Sequence, residues 1–357
     1  CAFISPENGE KAQYIFFPGC QLGASEENYV LKAYEALKKI ERQTALLLGC
    51  CGIPADWAGD EELRQGVQNS ILEKWKAQGE PILILACPTC MKTFSRCMPQ
   101  VKFISLYELL ARHLPPLRPD QGPKKVAAVK VAAVFDPCAS RSYPAMQESV
   151  RKLLCQAGFQ IEELPWQGKH VRCCGYGGQI HGANLKQVKD IALNRIGESP
   201  NPHVTYCSNC RDTFASEGKE CSHILDVIFQ IGLPRRAAPD LSQRRRNRIS
   251  LVSQLTGGET RSGKGGSEGM PESFALEISP ELKKYMNEHL ILEEDIQAVI
   301  RHCEATGNVL QNKGTGEFTG HLPRGATTYW VSYEKSESAY RLKKVYYHRM
   351  IIEEKLT

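Results

Sequence analysis

Short runs of consecutive apolar residues alternate with longer amphipathic stretches through the first two thirds of the chain, the rhythm of a strand followed by a helix. Residues 14–17 read as a strand, and 25–40 carry helical spacing behind Ser25 as N-cap. A buried strand is predicted at 44–48, a helix at 60–78 that stops before Gly79, a strand at 82–86 and a short helix near Met91. The succession returns as strand 129–135, helix 144–157, strand 160–163, helix 185–196 and strand 203–206. Such alternation predicts an α/β fold with parallel sheets, in which ligands gather where the strands end. Even the apolar run 82–86 has only a strand's length, and nothing approaches the roughly 18 uninterrupted apolar residues of a membrane helix.

Beyond residue 236 the pattern changes. Residues 240–255 read as one basic helix with Arg244, Arg245, Arg246 and Arg248 clustered, and 257–269 as a flexible Gly/Ser-rich linker. The arginine run suits an acidic partner or anionic headgroups, set against a plain solvated helix. Farther on, Ser279 is a natural N-cap with Pro280 at the first helical position, and 293–305 is a second helix. Segments 308–310, 316–321, 327–333 and 340–350 then alternate as an antiparallel sheet. Their aromatic and basic residues suit strand pairing better than base stacking, so no nucleic-acid partner is expected. The expected domains are 1–122 and 123–236, a basic helix and linker over 237–272, and a small α+β domain over 273–357 whose simplest role is partner docking.

Composition changes this picture at one point. A 42% hydrophobic and 24% charged chain with net charge +5 is ordinary for a soluble protein and does not argue for nucleic acid. Fifteen cysteines in 357 residues are anomalous. A chain of this size needs no disulfides for stability, and no basic and apolar leader precedes the fold. Clustered thiols then favour metal binding in a reducing compartment. The expected location is cytoplasmic, with room for peripheral association at the inner face of the membrane. Because the chain starts at Cys1 rather than Met, it is expected to be part of a longer polypeptide.

Ten of the cysteines repeat. Cys20, the pair Cys50-Cys51-Gly52 and Cys87-Pro-Thr-Cys90 answer Cys138, the pair Cys173-Cys174-Gly175 and Cys207-Ser-Asn-Cys210, at offsets of 118, 123, 123, 120 and 120. The echo extends to Thr93-Phe94 and Thr213-Phe214. An internal duplication is the reading, with each cysteine group just past a strand; the approach of 171–172 to the second pair is weak as a strand and rests on the repeat. A CxxC pair alone serves a redox dithiol or half a zinc site. Five thiols per half exceed the four of a structural zinc or of an ordinary [4Fe–4S] cubane, and soft donors in that number favour iron–sulfur chemistry.

The twice-occurring Cys…Cys-Cys-Gly…CxxC pattern, over about 14–234, resembles the cysteine-rich CCG domain; Cys173-Cys174-Gly-Tyr-Gly-Gly is its most characteristic stretch. That family includes the CCG-bearing component of heterodisulfide reductase and the iron–sulfur subunits of lactate, glycolate and glycerol-3-phosphate oxidation. The resemblance implies two duplicated Rossmann-like CCG domains. It implies Cys20, Cys50, Cys51, Cys87 and Cys90 as ligands of one site, and Cys138, Cys173, Cys174, Cys207 and Cys210 as ligands of the other. The cofactors implied are one or two noncubane [4Fe–4S] clusters, with zinc as the alternative occupant of one half. Three functions are expected in order: thiol/disulfide redox chemistry in a cleft between the halves, an electron relay from a flavin dehydrogenase toward quinone, and a zinc-bound scaffold. The partners would be a flavoprotein or a ferredoxin-type iron–sulfur protein, with a small thiol, disulfide or quinone-linked substrate.

Outside the pattern, Cys97, Cys155, Cys221 and Cys303 read as small buried hydrophobes. His181, just past a glycine turn, is a candidate proton donor to a leaving thiolate, against a surface histidine in a polar loop. His113 reads as a dipole partner at a helix C-terminus. Gly175, Gly177 and Gly178 suggest a backbone passing close to a bulky cofactor.

Overall fold

The computed structural model describes residues 2–6, 11–115, 130–232, 236–257, 274–336 and 339–349. The chain divides into two units, Cys1–Pro239 with Arg244–Thr260, and Asp240–Gln243 with Arg261–Thr357.

The first unit holds both repeats. In the first repeat the order is β1 (Ala2–Ile4), β2 (Tyr14–Phe17), α1 (Leu22–Ser25), α2 (Glu27–Ile40), β3 (Thr44–Leu48), α3 (Ile53–Ala58), α4 (Glu61–Ala77), β4 (Ile82–Leu85), α5 (Pro88–Cys97), β5 (Phe103–Ser105) and α6 (Leu106–His113). Its sheet runs β1-β3-β2-β4-β5, parallel except for β1, which pairs antiparallel with β3 at the edge. The second repeat comprises β6 (Lys130–Phe135), α7 (Pro144–Gln156), β7 (Phe159–Glu163), α8 (Ile180–Ala183), α9 (Leu185–Ile196), β8 (His203–Thr205), α10 (Ser208–Ser216), β9 (Cys221–His223) and α11 (Ile224–Phe229). Its sheet, β7-β6-β8-β9, is wholly parallel. Setting β1 aside, both sheets place their strands in the order second, first, third, fourth, so the duplication is a duplication of topology.

Helices on both faces explain the continuous apolar strands. Ile15, Phe16, Phe17, Leu46, Leu47, Leu83 and Leu85 are fully or almost fully buried. One apolar cluster runs from these strands into Val134, Met146, Leu153 and Val204 of the second repeat, so the halves share a core. Tyr107 on α6 donates to the Tyr206 carbonyl at 3.2 Å and packs edge-on against its ring.

The predicted elements recur within three residues at each end, with one correction. Ser25 does not cap the long helix. It ends the separate helix α1, and Glu26 caps α2 by accepting from the Asn28 amide at 3.1 Å. Ser25 is buried instead, donating to Asp212 Oδ1 at 3.0 Å. Asp212 is the centre of a buried ion cluster joining the halves. It takes Arg211 Nη1 at 2.8 Å and Arg244 Nη2 at 2.6 Å. The fully buried Arg211 also donates to the Cys221 carbonyl at 3.2 Å, and Arg236 reaches the Ser25 carbonyl at 2.8 Å.

The arginine-bearing helix α12 (Leu241–Thr256) belongs to the first unit from Arg244 onward. It is docked there: Leu251 is buried, Asn247 Nδ2 donates to the Ala24 carbonyl at 2.9 Å, and Ser250 donates to Glu27 at 2.8 Å. The expected linker lies outside the described residues from 258 onward.

The second unit contains β10 (Ala275–Glu277), α13 (Pro280–Glu288), α14 (Glu293–Thr306), β11 (Leu310–Gln311), β12 (Phe318–Arg324), β13 (Thr327–Lys335) and β14 (Ala339–His348). The strand order is β10-β14-β13-β12-β11, antiparallel except for the β10–β14 pair. Ser279 caps α13 as expected, accepting from the Leu282 amide at 3.2 Å. Ile296, Val299, Ile300 and Cys303 from α14 pack on Val331, Tyr333 and Val345 of the sheet. Among the described residues, no helix is long and apolar enough to cross a membrane.

The ion cluster yields a stability prediction. Asp212→Ala strands the buried Arg211 guanidinium without its carboxylate, a class of change that costs about 3–5 kcal/mol. Urea unfolding of the full chain should register that loss, while Lys152→Ala on the exposed side of α7 should stay within about 0.5 kcal/mol of the parent.

Candidate metal centre

Each CxxC pair is the start of a helix. Cys87 is the N-cap of α5, Pro88 follows at the first helical position, and Cys90 lies one turn in. Cys207, Ser208 and Cys210 hold the same places on α10. N-cap and N3 side chains face one another, the relation a capping box exploits, so two sulfurs converge at the positive end of a helix. That end stabilises thiolate.

The Cys-Cys-Gly segments turn sharply at the glycine. Gly52 and Gly175 have φ of +88° and +98°, and a Cβ on Gly175 would lie 3.0 Å from the Val188 carbonyl oxygen of α9. This turn sends the glycine amide back toward the first sulfur of the pair: Gly52 N donates to Cys50 Sγ at 3.5 Å and Gly175 N to Cys173 Sγ at 3.3 Å. A side chain at 175 would also press on α9. The upstream cysteines follow the first strand of each repeat, Cys20 after β2 and Cys138 after β6.

The two sets form the same bent chain of sulfurs. In the first, Cys20 Sγ donates to Cys50 Sγ at 3.7 Å, and contacts continue from Cys50 to Cys51, Cys90 and Cys87. In the second, the order is Cys138, Cys173, Cys174, Cys210 and Cys207, with Cys210 Sγ donating to Cys174 Sγ at 3.2 Å. Negative charge is favoured most on the first sulfur of each Cys-Cys pair, and in the first chain Cys87 is also lowered, to about 7, chiefly by its bond with Cys90. The Cys20 and Cys51 thiols, donating to Cys50, pull it down to about 3. Cys138 and Cys174 pull Cys173 down to about 2 in the same way. The donors move oppositely: Cys51 is pushed up to about 12, mainly by its bond to Cys50, and Cys138 is raised by its bond to Cys173. Among the described residues, no three His, Cys, Asp or Glu side chains converge as one metal ion would require.

All five sulfur-bearing residues of the second set line a cavity of about 280 Å³ between the repeats. Its opposite wall comes from the first repeat and includes Trp57, Thr93, Lys92 and Arg96; the first cysteine set does not line it. Arg96 pairs with Asp56 at 2.7 Å, and Arg141 Nε, also on the wall, donates to the Val171 carbonyl at 3.0 Å.

The remaining candidates separate. His181 is half-buried on α8 and does not line the cavity. Cys221 and Cys303 are buried, as expected of packing residues, whereas Cys97 is half-buried and Cys155 exposed. His113 stands in the last turn of α6. Two further residues belong to the sites without a cysteine's signal: Thr93, which accepts from Cys51 Sγ at 3.8 Å, and Tyr176 on the cavity wall. The recurrence of Thr93 as Thr213 was the available signal for the first of these.

Fold and site together define a duplicated α/β protein with two five-thiol sites. The cysteine-rich CCG domain profile matches residues 14–95 and 132–215, so the chain carries that domain twice, one copy in each repeat. The EtfAB:quinone oxidoreductase of Syntrophomonas wolfei subsp. wolfei is 25% identical over 252 residues, 63% of this chain and 34% of that protein. The chain thus spans about a third of that relative's length. An aspartate racemase homologue from Pyrococcus horikoshii OT3 and the Picrophilus torridus aspartate racemase match 68% and 70% of the chain and 99% of their own, at 13% identity. Their TM-scores of 0.27 and 0.29 carry no argument.

Gly175→Ala tests the turn. Its strained φ and the Val188 contact should destabilise the protein by roughly 1–3 kcal/mol. Metal retained after anaerobic purification should fall relative to Gly182→Ala, where a Cβ meets nothing within 4 Å.

Proposed function

We propose that the chain is an iron–sulfur electron-transfer subunit of a larger oxidoreductase, with one cluster held by Cys20, Cys50, Cys51, Cys87 and Cys90 and the other by Cys138, Cys173, Cys174, Cys207 and Cys210. The observation that carries this reading is the identical sulfur chain in the two repeats. Neither chain contains imidazole or carboxylate, and its soft donors are spread out rather than focused on one point. That suits a body of several irons better than a tetrahedral zinc. Five thiols also exceed the four of a cubane, which favours a noncubane [4Fe–4S] form.

A bound cluster would supply one-electron exchange at each site. The protein's part is to hold it: the α5 and α10 N-termini and the Gly52 and Gly175 amides stabilise negative charge on sulfur. Two one-electron sites in one rigid unit suit partners that exchange electrons in pairs. The name of the Syntrophomonas relative supports a flavoprotein on one side and quinone on the other. A second reading, thiol/disulfide reduction, is favoured by the cavity, which opens directly on the second sulfur set and has Lys92, Arg96 and Arg141 on its wall. His181 does not line that cavity.

Anaerobic purification with iron, sulfide and zinc quantified tests the proposal. About eight irons per chain are expected from the four-iron count per cluster. Cys51→Ser and Cys174→Ser should each lower iron to about half, because each removes a ligand from one site only. Zinc without iron or sulfide would overturn the assignment. A paramagnetic signal perturbed by an added thiol, and lost in Cys174→Ser alone, would favour the disulfide reading over the relay.

A further inference from the structure

The second repeat carries a segment that the first lacks. Nine residues, 164–172, separate β7 from Cys173, where only Gly49 separates β3 from Cys50. The segment is fixed to both sides of Cys138. Gly168 N donates to Asp136 Oδ2 at 2.9 Å, and Arg141 Nε donates to the Val171 carbonyl at 3.0 Å. Leu164 and Val171 are buried. The outer side is different. Trp166 is 40% exposed, with the Arg172 guanidinium 3.7 Å from its ring centroid, and Lys169, His170 and Arg172 are all exposed. Tryptophan and arginine are the side chains that anchor protein interfaces, and here each holds the other in place.

Residues 164–172 contain no acid. The acids around them are engaged: Asp136 is buried and shares Arg151 with Glu163, at 3.0 and 2.6 Å. Glu162 accepts from Ser199 at 2.8 Å, and Glu198, near Arg172, is 9% exposed and pairs with Arg195. The charge that the loop itself presents to solvent is therefore that of Lys169 and Arg172. Cys173 follows Arg172 directly and is half-buried, whereas Cys174, Cys207 and Cys210 of the same set are buried. A basic surface with an aromatic anchor thus ends on one of the more accessible sulfurs of the second site.

We propose that residues 165–172 are the docking surface on which a small acidic redox protein, a ferredoxin-type iron–sulfur carrier, delivers electrons to the second site through Cys173. This rests on the proposed iron–sulfur function and adds the place where electrons enter. One electron passes from the reduced carrier to the second cluster, and no bond or proton moves. A contact of one short loop lies at the small end of protein interfaces, which suits the brief encounters of electron carriers rather than a permanent subunit contact. Lys169 and Arg172 steer an acidic partner toward the loop, and Trp166 supplies the area that desolvates on contact.

The test is anaerobic stopped-flow mixing of the full iron-loaded chain with a reduced acidic ferredoxin. Reduction of the second cluster is followed by the paramagnetic signal that Cys174→Ser removes. The second-order rate constant should fall as salt is raised. Lys169→Glu and Arg172→Glu should each lower it about three- to tenfold at low salt and less at high salt, as screening removes the steering. Arg172→Lys should recover most of the rate, and Trp166→Ala should slow reduction at every salt concentration. Photoreduction by deazaflavin, which needs no docked protein, should be unchanged in all of these variants, and Lys39→Glu on α2 should behave as the parent. A parent that ferredoxin does not reduce, rates indifferent to salt and to both charge reversals, or an equal loss in Lys39→Glu would overturn the docking surface and leave the two-cluster reading intact. A parent protein without iron would overturn both.

Discussion

Five thiols can form one continuous chain of sulfurs only if loops from several strands end together, and the parallel sheet with its first strand inside it satisfies that constraint. In each repeat the first strand lies between the second and the third, so the chain leaves the sheet in opposite directions from adjacent strands and opens a crevice at their C-terminal ends. Cys20 and Cys138 follow the first strand, Cys87 and Cys207 the third, and the Cys-Cys pair arrives from the connection after the second. Everything else serves this convergence. The CxxC pairs are helix starts because a strand-to-helix turn at this edge presents N-cap and N3 side chains together. The glycine after each pair takes a left-handed φ because the chain must reverse within two residues while leaving its amide pointed at sulfur.

Much of this was legible in the residues themselves. Apolar runs of four or five residues mark strands that are covered on both sides, and the 120-residue offset between cysteine groups survives because convergence tolerates little change in spacing. What escaped had physical reasons. Ser25 looked like a cap because helical periodicity continues across the break between α1 and α2, and only the tertiary bond to Asp212, 187 residues away, explains its burial. The three-residue strands β1, β5, β9 and β10 are too short to carry a period. Cys155 is exposed on an otherwise amphipathic helix, a placement that no count of cysteines predicts.

A gap between pattern and structure lies at Arg244, whereas Arg245, Arg246 and Arg248 are exposed as a solvated helix would have them. Read locally, Arg244 to Arg248 is a charged helix with no reason to be inside anything. Its contacts are with Gln21, Ala24 and Asp212, at separations of 223, 223 and 32 residues, and none leaves a periodic trace. Asp212 was equally silent, since a carboxylate just past a CxxC pair reads as a surface residue on α10 until three guanidinium groups are found around it. A buried charge is retained only when it is matched, and here the matching partners come from α10, from the segment that follows the second repeat and from the helix beyond it.

The same cluster explains why the duplicated halves need not behave alike. Ligands, turn and helix start are copied faithfully, so the copied parts alone would give two sites of similar charge. The asymmetry enters from outside the repeat. The second site faces a cavity whose far wall belongs to the first repeat, a cavity that the first cysteine set does not line, while α12 bonds Gln21 beside Cys20 and Asp212 beyond Cys210. A pair of equivalent sites has no preferred direction for an electron; a pair with different neighbours does. Duplication builds the two sites, and the cavity open to only one of them makes their surroundings different.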